Sequence, residues 1–243
     1  MESDKSQIFH RNVMRAICTN LADTPMVLKG GTALLLCYGL DRFSEDLDFD
    51  SSKKMGVSRR IQDAIGGLCE IESMKTLKDT DTVQRLRLVC IDPETRNGIR
   101  LKIETSFRET YSPDEVVDVN GIKTYTLNRL FSNKVNTLFS RTKARDVYDL
   151  DFILKQPAFE PDSKSIQLLH AAVDSPEKLN AFHKRFTEAF ATDKLLSSCD
   201  PEKIILSLSD GTNKAFDKDS SGTLMALSTG ILPGRRDGGM GGK

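Results

Sequence analysis

Asp46 and Asp48, two aspartates one residue apart, are the first pair in this chain able to do chemistry. Alternate side chains of a strand share a face, so both carboxylates would point one way, with Leu47 and Phe49 the other. Carboxylates that close repel each other unless a cation lies between them. An oxygen-only pair suits Mg²⁺, which is usually held by one or two carboxylates together with substrate phosphates. Upstream, Gly30-Gly31-Thr32 follows the apolar pair Val27-Leu28 and Lys29. Glycines let backbone N–H groups approach a phosphate closely, and the N-terminus of a following helix favours its negative charge. Each half has an ordinary reading when taken alone: a tight turn for Gly-Gly, a solvated strand end for Asp-x-Asp. The order strand, Gly-Gly-Thr, helix, Asp-x-Asp strand makes the combination informative.

A phosphoryl-transfer site built on metal ions needs a third carboxylate, to complete the ion shell and take a proton from the attacking hydroxyl. Glu104 is the candidate. Residues 99–103 alternate cleanly, with Ile99, Leu101 and Ile103 on one face and Arg100, Lys102 and Glu104 on the other. Without the aspartates, the same pattern would read as a half-exposed strand bearing a ladder of charges.

These residues need elements to hold them. Apolar spacing predicts a helix over residues 6–22, carrying Ile8, Phe9, Val13, Ile17 and Leu21. A buried strand over 26–29 follows, then a helix over 32–38 ended by Gly39, and a strand over 46–49. The helix expected over 57–68 has Ile61, Ala64, Ile65 and Leu68 as its inner stripe, with Gly66-Gly67 weakening its end. Strands are expected over 70–77, 82–91 and 99–107. The last two read as a hairpin closed by the Pro and Asn-Gly signals of residues 92–98. Asn120-Gly121 marks a second hairpin over 116–124. Thr126 is a good N-cap for a helix over 127–139, with Leu130, Phe131, Val135, Leu138 and Phe139 on its stripe. Helices over 164–173, 176–191 and 201–209, and a short one over 224–227, complete the reading. Leu179, Phe182, Phe186, Ala189 and Phe190 form a core stripe. The Gly-rich, basic end from Pro233 reads as flexible.

The 243 residues carry 35 Lys+Arg against 35 Asp+Glu, so no global field draws the chain to nucleic acid or an anionic membrane. The N-terminus lacks a signal-like apolar core, and no segment is long enough to span a bilayer. Cys18, Cys37, Cys69, Cys90 and Cys199 are scattered singly, which reads as free thiols in a reducing cytoplasm. His10, His170 and His183 are far apart and near no Cys pair, which argues against zinc.

The stretch Lys29–Leu34, Lys-Gly-Gly-Thr-Ala-Leu, with Arg42-Phe43-Ser44-Glu45-Asp46-Leu47-Asp48-Phe49, resembles the AbiEii branch of the DNA polymerase β-like nucleotidyltransferases, which are toxins of bacterial toxin–antitoxin and abortive-infection systems. A second block, Lys134 followed by Arg145-Asp146-Val147-Tyr148-Asp149-Leu150, resembles the same branch. The two blocks lie within residues 25–155, and beyond Gln156 the resemblance fades. The resemblance implies an α/β (α+β) fold: a small mixed sheet covered by helices on one face, then a helical half, with the site in the cleft between. The expected divisions are residues 1–125 as catalytic domain, 126–232 as helical domain and 233–243 as tail. The resemblance further implies an NTP substrate with Mg²⁺ or Mn²⁺ held by Asp46, Asp48 and Glu104. Gly30, Gly31 and Thr32 would cradle the phosphates, Lys134 would bind them, and Asp146 would position or catalyse, with Arg145 and Asp149 as weaker candidates. The acceptor would be a tRNA 3′ end or a protein side chain. Arg59, Arg60, Arg85, Arg87, Arg141 and Lys143 could form a local RNA-facing patch. A cognate antitoxin is the expected partner. The rival readings are a kinase-like phosphotransferase and a nucleotide- or RNA-binding module without catalysis.

Overall fold

The computed structural model describes residues 2–228, with side chains described over 5–221. Up to residue 125 helices and strands alternate as far as α3, and five strands follow. In order come α1 (Glu2–Asn20), β1 (Met26–Lys29), α2 (Gly30–Cys37), β2 (Leu47–Ser51), α3 (Ser58–Ile65), β3 (Glu70–Asp79), β4 (Val83–Ile91), β5 (Gly98–Ser106), β6 (Val116–Val119) and β7 (Ile122–Tyr125). Only helices follow: α4 (Leu127–Ser140), α5 (Ala144–Leu154), α6 (Ser163–His170), α7 (Pro176–Thr192) and α8 (Pro201–Ser228).

The strands form one mixed sheet in the order β3-β4-β5-β2-β1-β7-β6. β2 runs antiparallel to β1 and parallel to β5, while β1 runs parallel to β7. Residues directly opposite across a ladder share a face, so the register sorts the side chains. Leu28 faces Phe49, Leu47 faces Ile103, and Leu86 faces Ile103 from the other side, giving one buried apolar face. Lys29 faces Asp48, Asp48 faces Glu104, and Glu104 faces Arg85, giving a polar face opposite. α2 packs on β1, β2 and β7, and α1 on α3 and β7. α4 closes the other side, and a cleft lies between it and the polar face. The later helices pack around α8, which contacts α5, α6 and α7. One apolar core joins the two halves, running from Val13 on α1 to Leu208 on α8.

Several expectations need correcting. α3 stops at Ile65, so Leu68 falls outside its stripe and is exposed. Ile8 and Phe139 are exposed as well, because the buried stripes of their helices run through Val13, Met14 and Ile17 and through Phe131, Val135 and Leu138. β2 begins at Leu47 and reaches Ser51, leaving Asp46 just before the strand and adding Asp50 to it. The helices expected over 201–209 and 224–227 are one helix, α8. The tail from Pro233 lies outside the described residues. The Phe182, Phe186 and Phe190 stripe is buried as expected, and Thr126 caps α4 by accepting from the Arg129 N–H.

Candidate active site

The polar face of the sheet carries three carboxylates at neighbouring positions. Asp48 and Glu104 are register partners on the parallel pair β2 and β5, and Asp46 stands at the entry to β2. Two of the three already hold a cation of the chain. Lys102 Nζ lies 2.7 Å from Asp46 Oδ2, and Arg85 Nε lies 2.7 Å from Glu104 Oε2. Among the described residues the Asp48 side chain makes no hydrogen bond or ion pair. Its pKa is raised, first by burial and then by the nearby Asp46 and Glu104 charges, while Lys102 and Lys29 restrain the shift. Next to it, Asp50 accepts from Lys29 Nζ at 2.5 Å and from the Tyr125 hydroxyl at 2.9 Å.

Asp48 and Glu104 form one wall of a cavity of about 570 Å³ with Lys29, Gly30 and Asp50, and α4 and Arg141 form the other. The cavity thus lies in the cleft between the two halves, with carboxylates on one side and cations on the other. Arg129, Lys134 and Arg141 supply the positive charge. Lys134 is buried, with its ammonium 2.9 Å from Asp146 Oδ1 and 2.6 Å from Asp149 Oδ2. Arg141 grips Asp146 with Nε and Nη2 yet keeps a side-chain exposure of 43%. Burial alone would raise the Asp146 carboxyl. The Arg141 hydrogen bond and the Lys134 charge outweigh burial and hold it below the ordinary carboxylate range.

The two glycines have separate jobs. Gly30 adopts φ +75°, a left-handed turn that glycine enters freely, as the chain passes from β1 into α2. A Cβ at Gly31 would stand 2.6 Å from Arg42 Nη2. That guanidinium is buried and gripped at both ends by Asp149 of α5, with Nε at 2.7 Å and Nη2 at 2.6 Å. Gly31→Ala should therefore push Arg42 off Asp149 and destabilise the protein by about 1–3 kcal/mol, read from urea unfolding. A Gly31→Ala protein as stable as wild type would show that the guanidinium moves aside without loss. Thr32 is buried. Its hydroxyl donates to the Asp46 carbonyl and lies 2.8 Å from Ser44 Oγ, fixing the loop that delivers Asp46.

Of the residues singled out in the sequence, Gly30, Asp48, Glu104, Lys134 and Arg141 line the cavity. Asp46 does not line it: it pairs with Lys102 and lines a separate pocket with His10, Phe43 and Arg100, and Asp146 lies behind Lys134 and Arg141. Gly31 and Thr32 face the Arg42–Ser44 loop instead. Arg145 turns away to Asp193 at 2.7 Å. Three of the basic residues considered for RNA are ion-paired: Arg60 with Asp23, Arg85 with Glu104 and Arg141 with Asp146. Sequence alone assigns no site role to Lys29, Arg42, Asp50, Arg129 or Lys102. Lys102 could have been found from its place two residues before Glu104 on the same face. Arg42 could not, since its partner lies 107 residues away.

The oxygen donors suit a hard divalent cation, and burial together with the neighbouring Asp46 and Glu104 charges raises Asp48. Among the described residues, no three His, Cys, Asp or Glu side chains stand together as a ready-made metal cluster, and Lys102 and Arg85 hold two of the carboxylates.

Comparison with known proteins bears on this arrangement. A crystal structure of JHP933 from Helicobacter pylori superposes with a TM-score of 0.81 at 34% identity, covering 92% of this chain and 98% of that one. A second H. pylori crystal structure gives 0.78 at 34% identity, over 88% of this chain and 96% of that one. A search of curated proteins returned no match. The model of the AbiEii nucleotidyl transferase toxins of type IV toxin–antitoxin systems matches residues 12–229, so the likeness continues past Gln156 through α8. The chain belongs to the AbiEii nucleotidyltransferase toxin family.

Proposed function

We propose that the cavity transfers a nucleoside monophosphate from an NTP to an acceptor hydroxyl in a Mg²⁺-dependent reaction. The observation that supports this best is the pairing of Asp48 with Glu104 across β2 and β5, opposite Arg129, Lys134 and Arg141 in one cavity. Mg²⁺ or Mn²⁺ held by Asp46, Asp48 and Glu104 would neutralise the triphosphate and polarise the phosphoryl group under attack. The chain supplies the rest. The backbone N–H groups of Gly30, Gly31 and Thr32 at the start of α2 receive phosphate oxygens. Arg141, exposed at the rim, and Lys134, deeper in the wall, offset charge developing toward pyrophosphate. Asp146 positions both cations. Glu104 aligns the acceptor hydroxyl and accepts its proton. Catalysis of this kind is mostly positioning and electrostatics.

The acceptor is a tRNA 3′ end or a protein side chain, and a cognate antitoxin restrains the activity. The five free thiols fit a reducing cytoplasm. Purified protein incubated with Mg²⁺, each α-labelled NTP in turn and total bacterial tRNA tests the reading. Label on tRNA, lost with Asp48→Ala, is the expected result, and label on a protein would name the other acceptor. Transfer of γ-label instead would make the protein a phosphotransferase. Nucleotide binding with no transfer of either label would make it a binding module.

A further inference from the structure

We infer that Lys102 is a built-in second cation of the carboxylate centre, so that the site takes one divalent ion where a metal-pair site takes two. The inference rests on the nucleotidyl-transfer reading of the cavity. Charge counting comes first. Asp46, Asp48 and Glu104 bring three negative charges. Lys102 and Arg85 return two positive ones, through contacts of 2.7 Å each. One negative charge is left over, and it falls on Asp48, whose side chain has no hydrogen-bond or ion-pair partner among the described residues. One divalent ion inverts that charge and prepares the centre for a triphosphate. A second would crowd the Lys102 ammonium.

The strand keeps Lys102 beside the centre, with its side chain 39% exposed. Its cross-strand partner on β4 is Arg87, and its same-face neighbours along β5 are Arg100 and Glu104. Glu104 is already held by Arg85. An ammonium displaced from Asp46 would swing past Arg87 and Arg100 toward solvent. β5 holds the Lys102 backbone in register with β4, so the side chain can swing but not leave.

Mn²⁺ electron paramagnetic resonance on the full chain, with each α,β-methylene NTP in turn, reads this directly. Two Mn²⁺ ions about 4 Å apart, the spacing of metal-pair sites, give a coupled spectrum distinct from that of isolated ions. Wild type should bind one uncoupled Mn²⁺ per site. Lys102→Met should bind two and show coupling, and Lys102→Arg, which keeps the charge, should stay at one. Coupled Mn²⁺ in wild type would overturn the inference, because Lys102 then gives way to a metal; nucleotidyl transfer itself would stand. One uncoupled ion in wild type and in Lys102→Met alike would also overturn it. No bound Mn²⁺ in any of the proteins, together with no α-label transfer, would overturn the nucleotidyl-transfer reading as well. Should Lys102→Met fail to fold, Lys102→Gln serves as the neutral variant, with the same two outcomes.

Discussion

Asp48→Ala should lower nucleotidyl transfer by at least ~10³-fold while leaving the protein folded. Asp48 joins β2 to the cavity, pairs in register with Glu104, and is the one carboxylate of the three without a cation of its own. Removing it takes away the group that demands an added metal. The effect on stability should have the opposite sign. The folded environment raises the Asp48 pKa, chiefly through burial, so the folded state holds its proton more tightly than the unfolded chain does. Its contribution to stability therefore declines as pH rises through the carboxylate range. Asp48→Asn, measured in chelator at pH 7, should melt at or above the wild-type temperature while transferring no label. An Asp48→Asn protein that keeps wild-type transfer would remove this carboxylate from the mechanism.

Lys134→Met should be the most destabilising single change in the cleft. The Lys134 ammonium lies between Asp146 and Asp149, whose side chains are 1% and 0% exposed. Truncating one partner of a buried ionic network costs about 3–5 kcal/mol, because the partners are left charged and short of compensation. For a chain of this size, the midpoint of thermal unfolding should fall by roughly 10 °C or more. The acid limb of stability should change as well. Asp146 titrates below its unfolded value, so its stabilisation is complete above pH ~3.9 and is lost as pH falls through the lower, folded value. Without Lys134 the folded value moves back up toward the unfolded one, so this pH-dependent contribution should shrink. Combining Lys134→Met with Asp146→Asn should cost less than the sum of the single changes, as expected for residues in one network. Additive costs would show that the contact contributes little.

How far the sequence can be read varies with the kind of signal. Strand alternation by itself places Glu104 opposite the apolar face, because period-two patterning follows directly from the pleat. The Asp46–Asp48 pair and the Gly-Gly turn are legible from spacing alone. The exposure of Leu68, Ile8 and Phe139 is not, since an apolar residue at roughly helical spacing does not reveal where its helix ends or how wide its buried stripe is. The reason for Gly31 is also hidden. Phosphate approach is the reading that sequence offers, whereas the closest atom to its missing Cβ belongs to Arg42, held in place by a residue 107 positions on. Lys134 and Asp146 are found by resemblance, but their burial, and the sharing of one ammonium between two aspartates, are properties of the folded helices.

The Arg42–Asp149 pair has a bearing on how such chains can be recombined. It ties the loop before β2 to α5, and both side chains are buried. A break at Thr126 would leave the Arg42 guanidinium uncompensated in one fragment, while Asp149 in the other would keep only Lys134. The two pieces should therefore reconstitute only when produced together. A hybrid joining the first half of this chain to the helices of a relative should fold only if the donor brings an acid at the Asp149 position. The seam between the halves works as a compatibility lock, and shuffling across it is permitted only between matched keys.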